Sequence, residues 1–433
     1  MIFNPQRECM EPAEQRELQL TLLRSLVEKV EKRVPFYARK LAAAGVKASD
    51  IQSLEDVAKL PFTEKTELRD VYPYGLLACE ESEIVEVHTS SGTTGTPVVG
   101  AYTIADIESW SEATARTLSM AGTGPADVVQ NGYGYGLFTG GLGIHYGARK
   151  IGANVIPISA GNTTRQLMLM RDFKSTVLTC TPSYSLFLAE AAREEGFDFG
   201  TLALKAGCFG AEPWSDNMRQ QIESKLSLSA HDIYGLTEII GPGVSAECEA
   251  KDGLHISEDL FYPEIIDPAT GDVLPDGEKG ELVFTTLTKQ GTPIIRYRTR
   301  DITYLMREKC SCGRTHVRMH RLLGRTDDML IVRGVNVFPS QIENVLMRIE
   351  ETEPHYVIVV DREAAHLDDI EVMVEVEQSF FSDETRQLEV IREKIAKTMR
   401  DELGLNARIR LVEPKTIERS VGKAKRVIDK RQI

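Results

Sequence analysis

No apolar run in this 433-residue chain approaches the roughly 20 residues that a bilayer-spanning helix needs, which argues against membrane insertion. The opening stretch, MIFNPQRECMEP, carries charges where an export signal would need an apolar core, so a cytoplasmic protein is expected. Cysteine is sparse: seven residues, an odd number, argue against a disulfide framework and for reduced thiols or metal ligation. Net positive charge is lacking too. At −14 the chain is disfavoured as a general nucleic-acid binder, although a locally basic cleft could still hold an anion. Internal repeats and low-complexity segments are absent. What is present, 42% hydrophobic and 27% charged residues over a length too great for one ordinary core, is the composition of a globular protein with one large domain and at least one smaller one.

The first 70 residues read as helical. Leu18, Leu22, Leu23, Leu26, Val27 and Val30 fall on one face at a spacing near 3.6, a stripe expected to be ordinary packing. From Ala153 to Tyr234, short apolar strand candidates (ANVIPIS, TVLTCT, ALKAGCF, AHDIY) alternate with helical segments at Ser183–Glu195 and Asp216–Ser227, the pattern of α/β units. Between Phe261 and Met306, turn signals such as DPATGD and PDGEKG separate short strands and predict a β-rich subdomain. After Gly324 the order is a hairpin (MLIVRGVNVF), a helix from about Ser340, two strands (HYVIVV, EVMVEVE), a helix near Thr385–Leu403 and a strand (ARIRLV). That order suits a small α+β domain. The expectation is an α/β protein with a large composite domain over residues 1–326 and a small, mobile α+β domain over 327–433.

The most informative stretch is HTSSGTTGTPVVG, from His88 to Gly100, set between two strand candidates. Glycines let a backbone approach oxyanions closely, and Ser90, Ser91, Thr93 and Thr94 add hydroxyl and amide donors without bulk, so the loop suits phosphate. A flexible turn is the plain alternative, but turns seldom need four hydroxyls beside three glycines. A P-loop is excluded, because no Gly-Lys-Ser/Thr follows and Pro97-Val-Val reads as a strand where that motif opens a helix.

SSGTTGTP resembles the signature of the adenylate-forming superfamily of acyl-CoA synthetases, luciferases and peptide-synthetase adenylation domains. YGLTE (Tyr234–Glu238), YRTRD (Tyr297–Asp301), GRTDD (Gly324–Asp328) and Gly422-Lys423 follow in that superfamily's order. FTGGLGIHYG, FGAEPW, YGLTEIIGPGVS and GVNVFPSQIE are similar to the phenylacetate–CoA ligase branch in particular. The chain departs at Thr96, where many relatives carry lysine. The resemblance implies ATP held by Ser90, Ser91, Gly92, Thr93, Thr94 and Gly95, and adenine and ribose held by Gly210, Ala211, Glu212, Pro213, Asp232, Tyr234, Gly235 and Asp301. It implies Arg325 closing over the nucleotide, Asp327 as the interdomain hinge and Lys423 as the adenylation catalyst.

These assignments also have a physical reading. Thr237 and Glu238 form a hard oxygen pair suited to Mg²⁺ on ATP phosphates, against the alternative of a solvated acid at a helix start. Adenylation brings a carboxylate onto the α-phosphorus, two anions together, so a cation spanning both is the natural catalyst. Lys423 fits that need; Lys425 is a rival, and a solvated basic tail the plain reading. Tyr133, Tyr135, Phe138, Ile144 and Tyr184, with room left by Gly140 and Gly141, could line a slot for a flat ring, against the alternative of a packed helix start. Cys248, His255, Cys310 and Cys312 offer three thiols and one imidazole, the set of a tetrahedral structural Zn²⁺.

The expected function is an ATP-, Mg²⁺- and CoA-dependent ligase that activates an arylacetic acid as its acyl-adenylate, with phenylacetate first in line and a homodimer implied by resemblance. An adenylate-forming enzyme with another acceptor, such as a deazaflavin cofactor, and a nucleotide-binding protein without chemistry are the alternatives.

Overall fold

The computed structural model describes residues 1–90, 96–332, 335–362, 368–381, 385–420 and 422–431. The chain forms two compact units. The first comprises Met1–Cys180, Leu202–Ala211 and Ser229–Arg321; the second comprises Thr181–Thr201, Glu212–Leu228 and Leu322–Ile433.

The core of the first unit is a nine-stranded sheet. Asn154–Ile156, Val128–Asn131, Val177–Cys180, Ala206–Gly210 and Ser229–Leu236 run parallel in that spatial order. Ile240–Glu247, Leu254–Ile256, Arg318–Met319 and Leu305–Met306 continue it antiparallel. The Val177–Cys180, Ala206–Gly210 and Ile240–Glu247 strands are buried along their whole length, which is why they read as apolar runs rather than alternating ones. The Ile104–Met120 and Thr139–Ile151 helices cover the sheet; a Cβ on Gly147 would lie 2.6 Å from the Thr114 backbone, so glycine lets these helices touch. The β-rich subdomain is an antiparallel set of Phe261–Ile266, Gly280–Thr286 and Tyr297–Thr303.

At the amino terminus, the Pro12–Arg33 helix buries Leu23, Leu26, Val27 and Val30 as its spacing predicts. Its first turns differ from the expectation: Gln15 and Gln19 are buried while Leu18 and Leu22 are only half-buried. For Gln19 the reason is a polar partner, since its amide donates to the Glu258 carbonyl at 3.0 Å.

The second unit holds a four-stranded sheet in the order Arg408–Val412, Asp368–Val376, Thr352–Arg362, Val427–Asp429. The two long strands are antiparallel and the edge strands join them in parallel. Ile358, Val360, Ile370, Val372 and Val374 pack from that sheet against Ile395 and Met399 of the Thr385–Leu403 helix. The Pro182–Glu194 and Asp216–Leu226 helices belong to the same unit.

Candidate active site

In an open α/β sheet, ligands bind beyond the carboxyl ends of the parallel strands. In the first unit those ends carry Asn131, Gly210-Ala211 and the Tyr234–Glu238 turn. Of the loop from His88 to Gly100, Ser91, Gly92, Thr93, Thr94 and Gly95 lie outside the described residues. Its neck is described. Ser90 donates its N–H to the Val98 carbonyl at 2.9 Å, and its hydroxyl accepts from the Val98 N–H at 2.9 Å. A Cβ on Gly100 would stand 3.2 Å from the Thr237 carbonyl, so the strand leaving the loop runs against the Thr237-Glu238 turn.

Glu238 is only 5% exposed, yet its Oε1 accepts no hydrogen bond among the described residues. Lys65 Nζ stands 3.2 Å from that oxygen as an ion pair. Burying a carboxylate oxygen is costly, and the Lys65 ion pair offsets part of that cost. A second cation supports the same turn. Lys289 is buried, donates to the Ile239 carbonyl at 2.8 Å and lies 4.6 Å above the Tyr102 ring. Burial pulls its amine down to about 8, against the pull of Asp106 and Glu238. The Lys289 loop is sewn to the Ile104–Met120 helix start by Asp106, which accepts from Gln290 N (2.6 Å) and Gly291 N (2.9 Å).

Tyr234 and Asp301 meet: the phenol donates to Asp301 Oδ2 at 2.6 Å, with both side chains buried. Gly210 lets the Ala206–Gly210 strand end approach its neighbour, because a Cβ there would fall 2.2 Å from the Ile233 carbonyl. Ala211 follows in the left-handed region (φ 72), turning the chain sharply at the strand end. Asp232 N–H donates to Glu247 at 2.8 Å, and a Cβ on Gly235 would press on Gly241 at 2.8 Å.

In the expected ring slot, Tyr135 Oη accepts from the Asn131 amide at 2.8 Å and lies 3.2 Å from His145 Nδ1. Burial pushes the phenol up to about 12. Ile144 is buried, and Tyr133 lies against Gly140. The space beside Gly141 is taken by the Gly134 carbonyl, 2.5 Å from where a Cβ would sit, and by the Tyr135 ring edge. Phe138 is 54% exposed at the start of the Thr139–Ile151 helix. Tyr184 is a fully buried residue of the second unit, tilted against Phe187 at 6.1 Å.

Also in the second unit, Arg325 makes a two-pronged pair with Asp327 (3.0 and 3.1 Å) and reaches Asp328 at 3.3 Å. Burial raises the Asp328 carboxyl, an effect that Arg325 and, more weakly, Lys423 oppose. Lys423 and Lys425 are both exposed. Glu212 is spent on backbone: Oε1 accepts from Ser183 N at 2.8 Å and Oε2 from Ala424 N at 2.9 Å. Pro213 follows it in the turn leading to the Asp216–Leu226 helix.

The sulfur and nitrogen atoms of Cys248, His255, Cys310 and Cys312 all lie within 4.8 Å of one another. Cys248 Sγ is 3.6 Å from Cys310 Sγ, and Cys312 Sγ is 3.4 Å from His255 Nε2. Cys248 and His255 hold the Cys312 thiol far below its usual range. The donor set and its compactness fit a four-coordinate soft cation. Next to it, the buried Glu8–Arg314 pair (2.6 Å) ties the amino terminus to the loop that carries Cys310 and Cys312.

Sequence reasoning missed Lys65, Lys289, Asn131, His145 and Thr181. No local pattern marks them, since each acquires its partner only through the fold.

Comparison with known proteins completes the picture. Residues 19–287 match the model of the AMP-binding enzyme family, and residues 334–431 match that of the AMP-binding enzyme C-terminal domain. The chain is 49% identical to the phenylacetate-coenzyme A ligase of Thermus thermophilus over all of both chains. It is 46% identical to the Escherichia coli enzyme of that name, covering 100% of this chain and 99% of the other. Among solved structures, 2-hydroxyisobutyryl-CoA ligase in its postadenylation state with an acyl-AMP matches at TM-score 0.93 and 31% identity, over 99% of this chain and 92% of that one. With relatives at 46% to 49% identity over nearly its whole length, the chain belongs to the phenylacetate–CoA ligase family of adenylate-forming enzymes.

Proposed function

We propose that the chain makes phenylacetyl-CoA from phenylacetate, ATP and CoA through an acyl-adenylate, releasing pyrophosphate and then AMP. The observation that carries this reading is the identity of 46% to 49%, over nearly the whole chain, to four phenylacetate-coenzyme A ligases. In the first step a phenylacetate oxygen forms a bond to the α-phosphorus as the bond to the pyrophosphate oxygen breaks. Lys423 stabilises the charge that builds between the two anions and on the leaving group. Tyr234 packs against adenine, Asp301 accepts from the ribose hydroxyls, and Ser90 and the loop after it hold the phosphates. Glu238, with Thr237, would hold Mg²⁺, which supplies charge neutralisation on the phosphates. Arg325 closes over the nucleotide.

In the second step the CoA thiolate attacks the carbonyl carbon and AMP departs with the electron pair of the broken C–O bond. A thiol of ordinary pKa is only a few per cent ionised at neutrality, and the mixed anhydride makes that sufficient. Residues 327–433 act as the mobile lid, turning about Asp327 between the two steps. Tyr135 and Phe138 border the aryl group.

The four-residue soft cluster holds a structural Zn²⁺. Of the supporting observations, the convergence of four donor atoms within 4.8 Å is the strongest. No helix among the described residues is long and apolar enough to cross a membrane, in keeping with a cytoplasmic enzyme. By resemblance the enzyme works as a homodimer.

AMP and acyl-CoA formation across a panel of aryl and aliphatic acids tests the proposal. Phenylacetyl-CoA as the preferred product, lost in Lys423→Ala, is the expected result. AMP release without any acyl-CoA would overturn the assignment of the acceptor.

A further inference from the structure

Lys423 is exposed, and a lysine on a four-carbon stem is a poor electrostatic catalyst unless its backbone is fixed. Within the second unit, the residues on either side of it are fixed by side chains. The Thr181 hydroxyl donates to the Gly422 carbonyl at 3.1 Å. On the other side the Ala424 N–H donates to Glu212 Oε2 at 2.9 Å, while Glu212 Oε1 takes the Ser183 N–H at 2.8 Å. One carboxylate thus bridges the start of the Pro182–Glu194 helix and the residue after Lys423. Two further contacts hold the flanks. Arg426 donates to Ser183 Oγ at 3.1 Å, and Arg419 is gripped between Glu190 and Glu375, with four contacts of 2.8 Å. Glu190 is held well below the usual carboxylate range by Arg419 and His355 despite its burial. The segment is therefore pinned at 419, 422, 424 and 426, with the side chain of Lys423 projecting from the middle of the pinned stretch.

We propose that Glu212 and Thr181 are positioning residues for Lys423: by gripping Ala424 N–H and the Gly422 carbonyl they fix the backbone from which the adenylating cation reaches. This rests on the reading of Lys423 as the adenylation catalyst. A cation needed only while the α-phosphorus is attacked has no part in thioester formation. Weakening the grip therefore slows the first half-reaction and spares the second.

The two half-reactions separate this role from a general structural one. Adenylation is followed by phenylacetate-dependent exchange of pyrophosphate into ATP, and thioester formation by mixing the full-length enzyme with phenylacetyl-adenylate and CoA. Glu212→Gln replaces an acceptor by an N–H donor facing the Ala424 N–H; Thr181→Val removes the hydroxyl and keeps the branched shape. Both are expected to lower exchange by about 10- to 100-fold, the range for a lost hydrogen bond to a charged or buried group, and Thr181→Val is expected to change thioester formation by less than about twofold. Thr181→Ser restores exchange. Thr181 also caps the Pro182–Glu194 helix by accepting from Tyr184 N at 3.3 Å, so a variant that merely loosens the fold would lose both half-reactions together. Equal losses in both half-reactions, or unimpaired exchange, would overturn the inference. Exchange that survives in Lys423→Ala would overturn the inference and the assignment of Lys423 with it. Wild-type protein inactive in both assays would instead sink the ligase reading itself.

Discussion

Two carboxylates, each in a motif legible from sequence, end in opposite states. Glu212 has both oxygens engaged by backbone N–H groups, at 2.8 and 2.9 Å. Glu238, buried beneath its turn, has no hydrogen bond to Oε1 among the described residues and is ion-paired there with Lys65 at 3.2 Å. A carboxylate satisfied by hydrogen bonds holds the protein together, whereas a buried one that lacks them is held at a cost in stability. Hydrogen bonding therefore separates the two carboxylates, where residue type and motif membership do not.

The comparison breaks most clearly if Glu238 turns out to matter only for stability. We expect Glu238→Gln to lower pyrophosphate exchange by about 100- to 1000-fold, with a raised Mg²⁺ requirement and a melting temperature no lower than that of the parent. A large fall in melting temperature with normal Mg²⁺ dependence would place Glu238 beside Glu212 as structural.

The cysteine cluster makes the opposite forecast. Cys310→Ser is expected to abolish stoichiometric zinc and to cost about 2 to 5 kcal/mol in urea unfolding, while the folded remainder keeps its KM for ATP. Metal analysis showing less than about a tenth of an equivalent of zinc in the parent protein would remove the site.

Lys289 sharpens the picture of the Glu238 turn through pH. Its folded pKa of about 8 lies below the ordinary 10.5, so its contribution to stability is full above 10.5 and is lost as pH falls through about 8. Between those values the unfolded chain binds more protons, and stability should rise with pH. Lys289→Met should flatten that rise by about 2 kcal/mol, read as the difference between the two proteins in urea unfolding at pH 8 and pH 10. Parallel curves for both proteins would show that the amine is not held down by burial.

The smallest effect is expected at Tyr234→Phe. Loss of the 2.6 Å hydrogen bond leaves the buried Asp301 without its phenol donor, and should raise KM for ATP about tenfold with little change in kcat. An unchanged KM would leave Tyr234 as a core tyrosine.

Much of this was legible before any coordinates. The Thr385–Leu403 helix, the Arg408–Val412 strand and the run of parallel strands follow from apolar periodicity, because a helix or strand must bury one face or both. The chemistry-bearing motifs were legible for a related reason: the residues in each are close in sequence, so their spacing carries the signal. Legibility failed where a partner came from far along the chain. Gln19 displaced Leu22 from the buried face only because Glu258 offers a carbonyl 239 positions away. The four metal-binding candidates form the exception, since thiol and imidazole chemistry is so selective that Cys248 and Cys310 could be paired from sequence across 62 positions.

The sequence by itself determined the family and the reaction class, because those depend on residue chemistry and local order. Only the tertiary structure decided which carboxylate is paired with a lysine and which with backbone N–H groups, which lysine is buried and which groups hold the segment around Lys423. Burial and hydrogen-bond saturation are properties of neighbours, and neighbours are set by folding.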